Sequence, residues 1–160
     1  MKFYFSTFII VILFFGCKQD KADAPDNKEA RDQIVSADEI NKKIQEGRDI
    51  YYQDAVITGD IDFTLSPDKN VETPSILRYN QKSGIVFSNC TFRGEIIASR
   101  TDGDKNKYLY FDRNLSFLNC TFQSKVNFTE SRFDDLALFR ENIYQDTVQF
   151  RGAVFHFKKN

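Results

Sequence analysis

FDRNLSFLNCTFQSKVNFTESRFDDLALFRENIYQDTVQFRGAVF, residues 111–155, sets aromatic rings at Phe111, Phe117, Phe122, Phe128, Phe133, Phe139, Tyr144, Phe150 and Phe155. The steps alternate between six and five, so the pattern repeats every eleven residues. A helix face needs recurrences of three and four, and a half-buried strand needs two. The observed spacing fits neither and points to a ladder in which the chain coils back under itself. Eleven of the twelve phenylalanines after Cys17 stand on that ladder, so it organises most of the chain.

Working outward, one unit recurs six times: Tyr52-x-x-Ala55-x-Ile57, Phe87-x-x-Cys90-x-Phe92, Phe117-x-x-Cys120-x-Phe122, Phe128-x-x-Ser131-x-Phe133, Phe139-x-x-Asn142-x-Tyr144 and Phe150-x-x-Ala153-x-Phe155. A small residue stands two before each second rung. Ile50, Ile85, Leu115, Val126, Ala137 and Val148 stand two before each first rung. Strand alternation turns these residues inward with the rungs and leaves the polar residues between them facing water. The core ladder is therefore Tyr52, Ile57, Phe63, Phe87, Phe92, Phe111, Phe117, Phe122, Phe128, Phe133, Phe139 and Tyr144, continued by Phe150 and Phe155. Tyr79 is the candidate for the fourth rung of the first coil.

Cys120-Thr121-Phe122-Gln123-Ser124, Ser131-Arg132-Phe133-Asp134-Asp135 and their equivalents resemble the pentapeptide-repeat family in its phenylalanine-centred form. The resemblance covers about residues 50 to 157 and is strongest from 111 to 155. It implies an all-β fold, a right-handed quadrilateral parallel β-helix with four faces to a coil and about four coils. Successive coils then lie ~4.8 Å apart, with Phe117 on Phe139 and Phe128 on Phe150. An antiparallel sandwich would need turn clusters every 8 to 12 residues; between 115 and 157 there is one glycine and no proline.

The N-terminus supplies an address. Lys2 precedes an apolar run from Phe3 to Gly16 that stops at Cys17. The run is shorter than the ~20 residues of a membrane span and has no basic cluster behind it, which reads as a secretory signal over residues 1–16. Phe14-Phe15-Gly16-Cys17 resembles the lipobox of bacterial lipoproteins, which implies lipidation of Cys17, palmitate included, and attachment to a membrane of the cell envelope, at the outer membrane or the periplasmic face. Residues 17–34 are charged and free of aromatics, the composition of a tether. Over 35–48, Ser36 as N-cap, Glu39 closing a capping box and Val35 against Ile40 predict a short helix ended by Gly47. Its narrow apolar face suits it to cap the first coil of a repeat domain spanning 49–157.

Two interruptions, 64–78 and 99–108, fall at the same corner of consecutive coils and predict two projecting loops. Loops on a rigid scaffold concentrate binding residues, so Asp68, Lys69, Asn70, Arg100, Asp102, Asp104 and Lys105 are candidate contacts. Asp102, Asp104 and Asn106 alternate like half of a calcium loop, but Lys107 replaces the turn glycine and Arg113 stands where a bidentate Glu is needed. No metal or cofactor is expected. Cys90 and Cys120 share a slot on consecutive coils. A disulfide is one outcome for an exported chain; two small buried thiols is the other, and strand spacing exceeds the ~3.8 Å between Cβ atoms of a disulfide.

A single histidine, His156, cannot build a triad or a catalytic zinc site, and no carboxylate pair stands out. The sequence thus predicts a non-enzymatic, lipid-anchored scaffold or protein-interaction module with an unknown protein partner. Some members of the family resemble duplex DNA and bind DNA gyrase; that alternative needs an acidic surface, whereas residues 84–160 hold nine acidic and eleven basic side chains. Removing the signal leaves 21 basic against 23 acidic residues, a balance too near neutral to argue about nucleic acid in either direction, and no nucleic-acid partner is expected. A polysaccharide-binding or polysaccharide-acting β-helix is a further alternative, and it needs carboxylates clustered on one face. Phe150, Phe155 and Phe157 end the ladder without a second capping helix and form a candidate surface for a homodimer.

Overall fold

The computed structural model describes residues 33–156, and their strands form four sheets that are the four faces of a parallel β-helix. The first face comprises Ile50–Gln53, Ile85–Ser88, Leu115–Leu118 and Ala137–Arg140. The second comprises Ala55–Thr58, Thr91–Phe92, Thr121–Phe122 and Ile143–Tyr144. Ile61–Asp62, Ile96–Ile97, Val126–Asn127 and Val148–Gln149 make the third. Ile76–Gln81, Lys105–Phe111, Arg132–Phe133 and Val154–Phe155 make the fourth. Each circuit of the faces is one coil, and there are four.

The register carries the period of eleven into space. Phe87, Phe117 and Phe139 are in-register partners on adjacent strands. Their rings stack, with centroids 5.3 Å apart for Phe87 and Phe117 and 5.7 Å for Phe117 and Phe139. Phe92, Phe122 and Tyr144 form a second column at 4.8 and 5.0 Å. Phe111, Phe133 and Phe155 form another at 5.1 and 4.7 Å. Offset stacking within columns and edge-to-face contacts between them, such as Phe92 on Phe117, fill the prism with aromatic carbon.

The corner between the first and second faces uses a device that the aromatic period does not reveal. Asp54, Asn89, Asn119 and Glu141 occupy equivalent positions with φ of 52°, 53°, 51° and 57°. Aspartate and asparagine tolerate this left-handed conformation better than most residues. Their side chains also form a ladder: Asn89 Nδ2 donates to Asp54 Oδ1 and Asn119 Nδ2 donates to Asn89 Oδ1, each at 2.9 Å. At the next corner Gly94 has no room for a side chain, since a Cβ there would stand 2.1 Å from the Gly59 carbonyl oxygen of the coil above.

The helix Ala37–Gln45 closes the first coil by burying Ala37, Ile40 and Ile44. Ser36 is its N-cap and accepts from Asp38 N at 3.2 Å. Glu39 does not close a capping box. Its Oε1 accepts instead from Tyr52 Oη at 2.6 Å, and Lys43 Nζ donates to the same hydroxyl at 2.6 Å. A buried rung whose hydroxyl needs a partner outcompetes the exposed N-terminal amide. The Tyr52 hydrogen bond, reinforced by Lys43, holds the Glu39 carboxyl below its ordinary range. Asn41 imitates a strand: its Nδ2 donates to Asp60 O and its Oδ1 accepts from Asp62 N, both at 2.9 Å. Gln33 and Ile34, placed in the tether by composition, belong to a strand Gln33–Ser36 that pairs in parallel with Ala55–Thr58. Cys17, the rest of 17–32, the signal segment and Phe157 lie outside the described residues.

Two further expectations change. The fourth rung of the first coil is Gln81, which pairs with Phe111, while Tyr79 pairs with Leu109 one step outside the column. Residues 64–78 and 99–108 are not two free loops. Asp68–Thr73 folds back antiparallel on Ile76–Gln81, and Ser99–Asp102 folds back on Lys105–Tyr108. Both interruptions are β-hairpins built into the fourth face, because Leu77, Tyr79 and Leu109 continue the inward alternation and are buried. Cys90 and Cys120 are free, buried thiols in a column between Ala55 and Asn142.

Candidate functional site

The hairpins make the fourth face the widest, six strands against four or five elsewhere. Its outward positions are set by the same alternation that buries Leu77, Tyr79, Leu109 and Phe111. Arg78, Tyr108, Tyr110 and Arg132 therefore project from neighbouring strands, Arg78 beside Tyr108 and Tyr110 beside Arg132. The Arg78 guanidinium lies 4.8 Å from the Tyr108 ring centre and 5.0 Å from that of Tyr110. The Arg132 guanidinium lies 5.2 Å from Tyr110, so that ring is held between two cations.

Both guanidiniums are pinned. Arg78 Nε donates to Glu72 Oε2 at 2.6 Å and its terminal nitrogen donates to the Glu130 carbonyl at 3.3 Å. Arg132 Nε donates to Asp134 Oδ1 at 2.6 Å, and His156 Nδ1 lies 2.8 Å from the same oxygen. Below Tyr110 is an open groove of about 190 Å³, walled by Arg78, Tyr110, Glu130, Arg132 and His156. Burial pushes the Asp134 carboxyl up, but the hydrogen bonds from Arg132 and His156 outweigh it and hold the group below its ordinary value.

Lys82, Asp112, Asp134 and His156 each follow the fourth-face rung of their coil and form a column at its edge. Asp112 has the opposite fate to Asp134. Burial, then the like charge of Asp134, raises its carboxyl above the ordinary 3.8. A carboxyl with a raised folded pKa binds its proton more tightly in the fold, so its contribution to stability falls as pH rises from the unfolded to the folded pKa. Asp112→Asn is therefore expected to raise the urea midpoint at pH 7 and to leave it unchanged well below pH 3.8. An equal gain at both pH values would show that charge is not the cause.

The sequence-predicted contacts are distributed over the hairpins and mostly occupied by intramolecular partners. Asp68 pairs with Lys82. Lys69 and Asn70 stand opposite Tyr79 and Arg78. Arg100 reaches Asp62 at 3.2 Å, and Asp102 reaches Lys107 at 2.9 Å. Lys105 stands opposite Asp102, and Asp104 lies exposed at the turn beyond Gly103. None of these lines the groove. The residues that do, Arg78, Tyr110, Glu130 and Arg132, escape a reading centred on loops; the signal for them is the outward alternation around Leu109, Tyr110 and Phe111. Among the described residues no group of three His, Cys, Asp or Glu side chains is placed to hold a metal ion.

No family model matches the chain, and no curated protein or solved structure is significantly similar to it.

Proposed function

We propose that this chain is a pentapeptide-repeat lipoprotein, tethered through Cys17 to a membrane of the bacterial cell envelope, that works without catalysis as a protein-interaction module. The fourth face is its contact surface. The observation that carries the reading is the Arg78, Tyr110 and Arg132 stack. Tyrosine and arginine dominate the energetics of protein interfaces. Side chains already held by Glu72, Asp134 and each other lose little further freedom when a partner arrives. The guanidinium edges left over can donate directional hydrogen bonds to a partner's carboxylates or carbonyls, while the Tyr rings supply apolar area. The eleven-residue period and the lipobox-like segment support the family and the tether.

The surface is tested by recovering partners with tagged, membrane-attached protein and with Tyr110→Ala/Arg132→Ala. The double variant, folded by circular dichroism, is expected to lose the specific partner; equal recovery would reject the fourth face as the contact. Cys17→Ser is expected to move the protein from the membrane to the soluble fraction. Unchanged membrane retention would reject the lipid tether.

A further inference from the structure

The groove below Tyr110 contains charges that are matched and one that is not. Arg78 is paired with Glu72 and Arg132 with Asp134, each through Nε at 2.6 Å. Glu130 is on the groove wall, and its carboxylate has no ion pair or hydrogen bond among the described residues. Only its main chain is engaged, the N–H donating to the Arg151 carbonyl at 2.8 Å and the carbonyl accepting from Arg78 at 3.3 Å.

The place of that carboxylate is built into the coil. Glu130 and Gly152 are equivalent corner residues of consecutive coils, with φ of 55° and 69°. A Cβ on Gly152 would stand 2.3 Å from Glu130 Oε1 and 2.6 Å from its Cδ, so the carboxyl rests in room that the missing side chain leaves. Arg132 lines the same groove with only its Nε used. Its two terminal nitrogens make no hydrogen bond among the described residues, its side chain is 40% exposed, and stacking on Tyr110 fixes its plane. Val154, also at the groove, adds exposed apolar surface.

These groups select the chemistry of a ligand. An anion would satisfy Arg132 but meet the Glu130 carboxylate. A cation would satisfy Glu130 but meet two guanidiniums. A neutral group escapes both repulsions if it donates to Glu130 and accepts from Arg132, and a hydroxyl does both. Neighbouring hydroxyls on a ring offer donors in pairs to the two carboxylate oxygens and acceptors in pairs to the two guanidinium nitrogens, while the C–H groups of the ring lie on Val154. A secondary amide has a single donor, directed away from its acceptor. The groove, about 190 Å³, is smaller than the ~300–1,000 Å³ of drug-sized sites, so it takes one ring and not a length of chain. The condition that the sequence sets for a saccharide, carboxylates gathered on one face, is met by Glu72, Asp112, Glu130 and Asp134, which all lie on the fourth face or at its edges.

We propose that this groove is a binding site for a neutral sugar ring, hydrogen-bonded through its hydroxyls to Glu130 and Arg132, with Gly152 positioning the Glu130 carboxylate. It binds and breaks no bond. The site goes beyond the protein contact and is separable from it, because the Glu130 carboxylate and Gly152 stand outside the stack of Arg78, Tyr110 and Arg132.

Full-length protein, in a detergent without a sugar head group, is titrated with glucose, mannose, galactose and N-acetylglucosamine and followed by ligand-observed NMR. Each sugar is taken to about 50 mM, a range that covers millimolar dissociation constants. Saturable binding of at least one of the four is expected, with an affinity unchanged between about 0.05 and about 0.5 M salt because the ligand is uncharged. Gly152→Ala and Glu130→Gln are each expected to weaken it at least about tenfold, the loss of hydrogen bonds to a charged group. Acetate and methylammonium at the same concentrations are expected not to displace the sugar. No saturable binding of any of the four, an affinity that both variants keep, or displacement by either ion would overturn the proposal. Circular dichroism checks that each variant is folded. Partner recovery is scored with Tyr110→Ala/Arg132→Ala, which the sugar titration does not use, so either reading can fail alone.

Discussion

Phe117→Ala is expected to lower the unfolding free energy by about 3–5 kcal/mol. Phe117 is 0% exposed and stands at the centre of the aromatic packing. It stacks on Phe87 and Phe139 in its own column and meets Phe92, Phe122 and Phe128 edge-on from two others. Coils above and below share that ring, so the cavity left by alanine cannot close without shifting backbone that is locked in register on both sides. A solenoid is stabilised by contacts between neighbours, and the loss should appear as reduced cooperativity as well as a lower midpoint. Urea unfolding followed by circular dichroism measures both. A cost under about 1 kcal/mol, typical of surface substitutions, would mean that the columns are not what holds the coils together. Phe155→Ala is the internal comparison: the ring is 44% exposed, so its removal should cost much less in the monomer.

Gln81→Leu is expected to act in the opposite direction and stabilise the protein by about 1–3 kcal/mol. Gln81 takes the fourth rung of the first coil, in register with Phe111, and is 1% exposed. Neither its Oε1 nor its Nε2 has a hydrogen-bond partner among the described residues, and the hydroxyl of Ser83 nearby in the chain is in the same position. A desolvated amide without partners costs more than an apolar side chain of similar length. Leucine removes both unsatisfied atoms and lays a branched apolar end over the Phe111 column. Thermal unfolding should show the gain, at roughly 2–8 °C per kcal/mol for domains of this size range. A lower midpoint for the leucine variant would show that the amide is bonded inside the protein, and the column would then need a polar group at its top.

How these rungs are found in the sequence is uneven, and the unevenness has a cause. From Phe111 on, each rung is aromatic and each step is five or six, so ring and register coincide. In the first coil the period alone cannot choose between inward residues two apart. Tyr79 attracts the assignment because it is aromatic. The better guide was the distance to the next coil: Phe111 precedes Leu115 by four, Phe133 precedes Ala137 by four, and Gln81 precedes Ile85 by four. Similarly, Asp102-Gly103, with Gly103 at φ 60°, is a tight-turn signal flanked by residues able to form strands. It marks a hairpin, and reading it as an interruption of the ladder hid that.

The sequence by itself determined the coil. An alternation of inward and outward residues is local, and a period of eleven repeated without turn residues leaves the chain one economical way to bury its rings. The capping helix was legible for the same reason, since Ser36, Ala37, Ile40 and Ile44 lie within one short segment. Only the tertiary structure decided the surface. Arg78 and the Glu130 carbonyl it binds are 52 residues apart in the chain, and Arg78, Tyr110 and Arg132 come from three different coils. Nothing in the spacing of outward residues says which will be neighbours across strands until the register of the buried ones is known. The two hairpins that widen this face also obey cross-strand pairing, which exists only once the coils are stacked.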